Sequence, residues 1–82
     1  MIVYIKVFPI EGLCNQSQEL ELTLEEGSFS EVLTLLQRQF DVSISKLESL
    51  MFLHNGHGLD KRKDVVFCDG DQLWLLPLLS GG

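Results

Sequence analysis

Asp69-Gly70-Asp71-Gln72-Leu73-Trp74-Leu75-Leu76-Pro77-Leu78-Leu79-Ser80-Gly81-Gly82 closes the 82-residue sequence. Asp-Gly-Asp is turn chemistry, with Gly70 free to take a positive φ. Gln72 to Leu76 follows as a continuous apolar run, the pattern of a central strand buried on both faces. Pro77 has no amide hydrogen to give to a sheet ladder, so it ends that strand. Beyond it an inert chain end would be polar, yet Leu78 and Leu79 come next, and exposed leucines on a tail call for a partner that buries them.

Working outward from that strand, Ile2 to Phe8 alternates with the two-residue period of a β-strand. Val3, Ile5 and Val7 fall on one face and Tyr4, Lys6 and Phe8 on the other. Pro9 ends it, and Pro9 to Gln18 reads as loop. Glu19-Leu20-Glu21-Leu22-Thr23-Leu24-Glu25 alternates again, with its leucines inward and its charges out, and pairs with the first strand as an antiparallel hairpin. Ser28 with Glu31 three residues later is a capping box. Phe29, Val32, Leu33, Leu36 and Phe40 then recur at helical spacing, which predicts one amphipathic helix over 29–40.

Ser45 with Glu48 suggests a second cap and a short helical turn that carries Leu47 inward. Met51-Phe52-Leu53 reads as a strand that meets Asn55-Gly56, the strongest short hairpin signal, and pairs briefly with Gly58-Leu59. Asp60 to Asp64 is a polar connection that holds Lys61, Arg62 and Lys63, half of the six basic residues, and reads as a solvated loop. After the apolar Val65-Val66-Phe67 comes the closing turn and strand. The fold class is therefore α+β, a single domain over 1–82: a roll with a mixed sheet of four to five strands over one main helix and a flexible tail, 78–82.

Composition narrows the function classes. A chain this short buries about 60–65% of its unfolded surface, so the helix stripe is needed as core and does not serve as a partner groove. Twelve Asp and Glu against six Lys and Arg give a net charge of −6. That balance argues against nucleic acid, which needs a basic face to displace counterions, and fits docking on a basic protein surface. Cys14 and Cys68 lack C-x-x-C spacing and read as two reduced thiols of a cytoplasmic protein. The start, Met1-Ile2-Val3-Tyr4-Ile5-Lys6, lacks the pattern of a signal peptide. The apolar run Leu73 to Leu79 is far too short to cross a membrane.

Internal chemistry finds no foothold. His54 and His57 flank a turn that Asn55-Gly56 already explains, and a metal would need Asp60 or Cys68 as well, so no metal site is expected. There is no phosphate loop, no G-x-S-x-G and no H-E-x-x-H. What remains is the carboxylate of Gly82. Glycines at the last two positions let the backbone enter a narrow channel without a β-carbon. The carboxylate is ionised at neutral pH and a poor electrophile, so another protein must activate it. Burying two leucines yields about 3–6 kcal/mol, whereas fixing five backbones costs on the order of 5–10 kcal/mol. The tail therefore supplies reach, roughly 16–18 Å from Leu78 to Gly82, and a docking face on the body must supply affinity.

Leu53-x-Asn55-Gly56, then Asp69-Gly70-Asp71-Gln72-Leu73 running through Pro77 to Gly81-Gly82, resembles the ThiS/MoaD-type sulfur carriers, which have the β-grasp, ubiquitin-like fold. The resemblance spans nearly the whole chain. It implies a protein substrate and not an enzyme, possessing no bound cofactor. An E1-like partner would use ATP and magnesium to adenylate Gly82, and a sulfur donor would convert the adenylate to a thiocarboxylate. A synthase acceptor, of the molybdopterin-synthase large-subunit or thiazole-synthase kind, would then take the sulfur. By position Gly82 carries the sulfur, Gly81 permits entry, and Leu78, Leu79 and Ser80 line the partner's channel. Such carriers often have two consecutive prolines and a small residue before the glycines, where this chain has Pro77-Leu78-Leu79-Ser80. The alternative is a ubiquitin-like modifier or passive interaction module. Such modifiers often carry a basic residue shortly before the glycines, and Leu79-Ser80 supplies none.

Overall fold

Alternation in the sequence becomes a sheet with one wet and one dry side. In a computed structural model that describes residues 1–78, the elements run β1 (Ile2–Val7), β2 (Gln18–Thr23), α1 (Phe29–Phe40), α2 (Ile44–Glu48), β3 (Met51–His54), β4 (His57–Gly58) and β5 (Gln72–Leu76). They form a five-stranded sheet in the order β2-β1-β5-β3-β4. β1 and β5 are parallel, with Ile5 opposite Leu73 and Lys6 opposite Trp74; the other neighbours are antiparallel. The mixed sheet over one main helix is the α+β roll expected.

The dry side packs Val3, Ile5, Val7, Phe52, Leu73 and Leu75 from the sheet against Val32, Leu33 and Leu36 of α1, all buried. Leu47 of α2 and Phe67 of the β4–β5 connection complete this layer. Phe29 meets Phe52 edge-on, with ring centroids 5.1 Å apart, a favoured aromatic geometry. In the segment read as loop, Ile10 also turns inward to 3% exposure, held by a tight turn in which its amide donates to the Cys14 carbonyl.

Each helix start shows what its local sequence can do. Ser28 caps α1 by accepting from the Glu31 amide at 3.2 Å, so half of the expected capping box forms. The other half does not: the Glu31 carboxylate reaches past Ser28 and accepts from the amides of Glu25, Glu26 and Gly27 at 2.7, 2.9 and 2.9 Å. These donors, led by Glu25, hold its carboxyl below the usual range. α2 is capped by Ser43, which accepts from the Lys46 amide, and not by Ser45. A serine in the extended region is needed at the cap, and Ser43 has ψ 155 whereas Ser45 already lies inside the helix. Asn55-Gly56 makes its hairpin with φ of 50 and 85 at the two positions, the backbone a two-residue turn of that type demands. β4 is His57–Gly58, one residue earlier than expected.

Val65-Val66-Phe67 is not one of the sheet strands. Phe67 is buried and donates its amide to Gly27, while Val66 points out at 69% exposure. The basic connection is less solvated than expected at one position. The Lys61 ammonium donates to the carbonyls of Glu48 and Leu50 at the end of α2 and lies over the Phe52 ring, where a cation is well placed.

Phe52 is 2% exposed, with Phe29 against its edge and the Lys61 ammonium over its ring. Phe52→Ala is expected to lower unfolding free energy by about 3–5 kcal/mol, measured as a fall in the urea midpoint with little change in slope.

Candidate functional site

The strand that leads to the tail is held in place at its start by carboxylates. Asp69 accepts from the Ile2 amide at 2.6 Å, and the Gly70 amide donates to the Ile2 carbonyl at 2.7 Å, which fixes the turn against β1. Asp71 accepts from the Cys68 amide at 2.8 Å, from His54 Nε2 at 2.7 Å and from Asn55 Nδ2 at 3.1 Å. Cys68 and its amide open the turn that Gly70 closes with φ 88. Asn55 also brackets Gln72: its Oδ1 accepts from the Gln72 amide and its own amide donates to the Gln72 carbonyl, both at 2.8 Å. The Asn-Gly hairpin and the Asp-Gly-Asp turn, separate in sequence, are one hydrogen-bonded unit.

That unit sets the charge states. The Cys68 amide first, then His54, with Asn55 adding, pull the Asp71 carboxyl from 3.8 down to about 2. An ionised carboxylate only accepts, so Nε2 of His54 carries a proton in this contact. The His54 ring also packs on Phe67 at 4.6 Å. His54 is thus committed to structure. Among the described residues no group of three or more His, Cys, Asp or Glu is placed to hold a metal ion. Cys14 and Cys68 are free thiols.

Downstream, β5 alternates. Leu73 and Leu75 are buried, but Trp74 is 39% exposed, which corrects the reading of β5 as buried on both faces. The physical reason is that α1 and α2 cover only one side of the sheet. On the open side Tyr4, Lys6 and Phe8 from β1 and its end, Trp74 and Leu76 from β5, and Met51 and Leu53 from β3 share one face by register. Phe8 and Trp74 meet edge-on at 5.3 Å, and the Lys6 ammonium lies 5.1 and 5.5 Å from their ring centres. The alternation of β1 already placed Tyr4, Lys6 and Phe8 together; two aromatics on the wet side of a strand were the signal for this face.

Leu76 lies on this face opposite Met51; Pro77 and the exposed Leu78 follow it in the chain and line a cleft with Ile10, Lys46, Ser49 and Leu50. Leu79, Ser80, Gly81 and Gly82, the other proposed tail residues, lie outside the described residues.

Among the solved structures that this one resembles are three likenesses over nearly the whole of both chains. Small archaeal modifier protein 1 from Haloferax volcanii aligns over 100% of both chains with a TM-score of 0.74 and 17% identity. The chain has the β-grasp fold. A chain of the complex of subunits 1 and 2 of molybdopterin-converting factor from Helicobacter pylori aligns over 100% of both chains with a TM-score of 0.62 and 23% identity. Small archaeal modifier protein 1 from Methanosarcina acetivorans aligns over 99% of this chain and 96% of its own, with a TM-score of 0.67 and 19% identity. By sequence, no family model and no curated protein matches. Among the described residues of this β-grasp chain no helix is long and apolar enough to cross a membrane.

The Asp71 unit makes a pH prediction. Because its carboxyl is lowered on folding, its stabilisation is complete above the unfolded value near 3.8 and is lost as pH falls towards 2. Asp71 is 15% exposed, and solvent screening limits the effect to about 1–2 kcal/mol. Asp71→Asn is therefore expected to destabilise the protein by that amount at pH 7, and the gap should close towards pH 2. Urea unfolding of both proteins across this range checks it.

Proposed function

We propose that this β-grasp protein is a sulfur carrier whose working atom is the carboxylate carbon of Gly82. The observation that carries this reading is the open aromatic face of Tyr4, Phe8, Trp74, Leu53, Met51 and Leu76, whose Leu76 ends the strand from which the tail departs. The five tail residues cannot hold a partner by themselves, because ordering their backbones costs about as much as burying their leucines yields. A partner that covers this face gains the affinity, and the strand directs Leu78 to Gly82 into its active site. Likeness in fold to a chain of the molybdopterin-converting factor complex supports a synthase subunit as one such partner.

The chemistry lies in the partners. An E1-like enzyme would bind ATP and magnesium and let the Gly82 carboxylate attack the α-phosphorus, releasing pyrophosphate and leaving an acyl adenylate. A sulfur donor would then displace AMP, and the resulting thiocarboxylate would give its nucleophilic sulfur to an acceptor in molybdopterin or another sulfur-containing cofactor's biosynthesis. This chain contributes no catalytic side chain to those steps. Gly81 and Gly82 clear the channel, and Leu78, Leu79 and Ser80 line it.

A second reading has its own support. Small archaeal modifier proteins are among the structural likenesses, and a modifier would use the same adenylate but pass its acyl group to a lysine. Intact mass after incubation with the activating enzyme, ATP, magnesium and a sulfur source separates them. Exchange of one oxygen for sulfur supports the carrier, and isopeptide-linked adducts on other proteins support the modifier. Neither change in a competent system would refute both. Deleting Gly82 is expected to abolish loading and leave the unfolding midpoint unchanged.

The docking face has a separate test. Tyr4→Ala and Trp74→Ala are expected to weaken binding to the activating enzyme at least about tenfold, measured by titration calorimetry. Their stability cost should stay below about 1.5 kcal/mol, because both side chains are partly exposed.

A further inference from the structure

The sheet has a long free edge at β2, on the side away from the strand that carries the tail. The parity of its hydrogen bonds follows from its end: Met1 and Leu24 exchange both bonds, 3.1 and 2.8 Å. In an antiparallel pair such exchanges alternate with non-bonded positions, so Leu22, Leu20 and Gln18 face β1. The amides and carbonyls of Glu19, Glu21 and Thr23 point out of the sheet. The other side of β1 agrees, since the amides of Ile2 and Tyr4 bond to Asp69 and Asp71. Among the described residues β2 pairs with β1 alone.

Natural proteins usually blunt such an edge with a proline, a bulge, a covering element or a lysine. In Gln18 to Thr23 the blunting is by charge, and the charge is acid rather than lysine. Glu19 and Glu21 lie on the open side of the sheet, opposite Lys6 and Tyr4, and Glu25 and Glu26 follow at the strand's end. Two copies of β2 laid side by side would set glutamates against glutamates, and like charges across strands are destabilising. On the other side of the edge, half-buried Leu20 packs on the core, and half-buried Leu35 of α1 lies in a cleft with Thr23, Thr34 and Arg38.

We propose that the β2 edge is a second interaction site, which takes up an extended segment of a partner protein as a sixth strand. The backbone of Glu19, Glu21 and Thr23 provides the ladder. The segment alternates basic and apolar residues: its Lys or Arg face Glu19 and Glu21, and its apolar residues face Leu20 and Leu35. The ladder itself uses neither β5 nor the tail, although Glu19 and Glu21 line one cleft with Tyr4, Lys6 and Trp74 of the aromatic face.

The test titrates the full 15N-labelled chain with a short peptide of alternating lysine and valine, with an alternating glutamate and valine peptide as control. Expected are amide shifts and slowed hydrogen exchange at Glu19, Glu21 and Thr23 with the lysine peptide only. Glu21→Pro removes an outward donor without touching the β1 ladder and should weaken binding at least tenfold. If that variant is unfolded, E19K/E21K decides instead: it should lose the lysine peptide and bind the glutamate one. The proposal is overturned by shifts confined to Tyr4 and Trp74, by affinity unaffected in a folded Glu21→Pro, by no binding at all, or by a dimer of the free protein at neutral pH.

Discussion

A single ionised carboxylate, that of Asp71, ties the β3–β4 hairpin to the strand in the middle of the sheet. Its three donors come from three places: the turn at Cys68, the end of β3 at His54 and the hairpin tip at Asn55. Donors aimed at one charged acceptor form stronger bonds than neutral pairs. They also fix register, because β5 cannot slide by a residue along β3 without parting Asp71 from His54 and Asn55. Since β5 lies between β1 and β3, the position of every other strand refers back to this contact.

From that register follows a division of labour within one strand. Leu73 and Leu75 belong to the core, and their neighbours Trp74 and Leu76 belong to the open face. A one-residue slip would exchange the two sets, burying a tryptophan where a leucine fits and exposing the core leucines. Open face and hydrophobic core are thus specified together, and the point at which the chain leaves the sheet at Leu76 is specified with them.

Much of this was legible in the residues. The limits of α1 were readable because Ser28, the spacing of Val32, Leu33 and Leu36, and the absence of helix breakers all agree. Asn55-Gly56 and Gly70 announced their turns because so few residues accept a positive φ. The caps were harder. Ser43 and Ser45 are both good caps by type, and only the path of the backbone decides between them. Glu31 was seen as a capping residue, but a carboxylate takes whichever amides the preceding chain presents, and these were Glu25 to Gly27. The open face was missed because Leu73-Trp74-Leu75-Leu76 is apolar throughout, and composition cannot say that helices cover one side only. The union of the two turns through Asp71 depends on a contact between residues distant in sequence, which periodicity does not report. Leu79 to Gly82 lie outside the described residues, and the role proposed for them was read from the sequence, where Gly81 and Gly82 alone lack side chains.

The parallel pairing of β1 with β5 has a consequence for the making of the protein. β1 and β2 can pair as soon as they are synthesised, and so can β3 and β4, but these hairpins share no edge until β5 arrives between them. Such long-range closure is the slow step of a fold of this kind. Among the described strands the last to be synthesised is the one that joins the halves, so a chain stopped short of β5 holds two separate hairpins and no closed sheet.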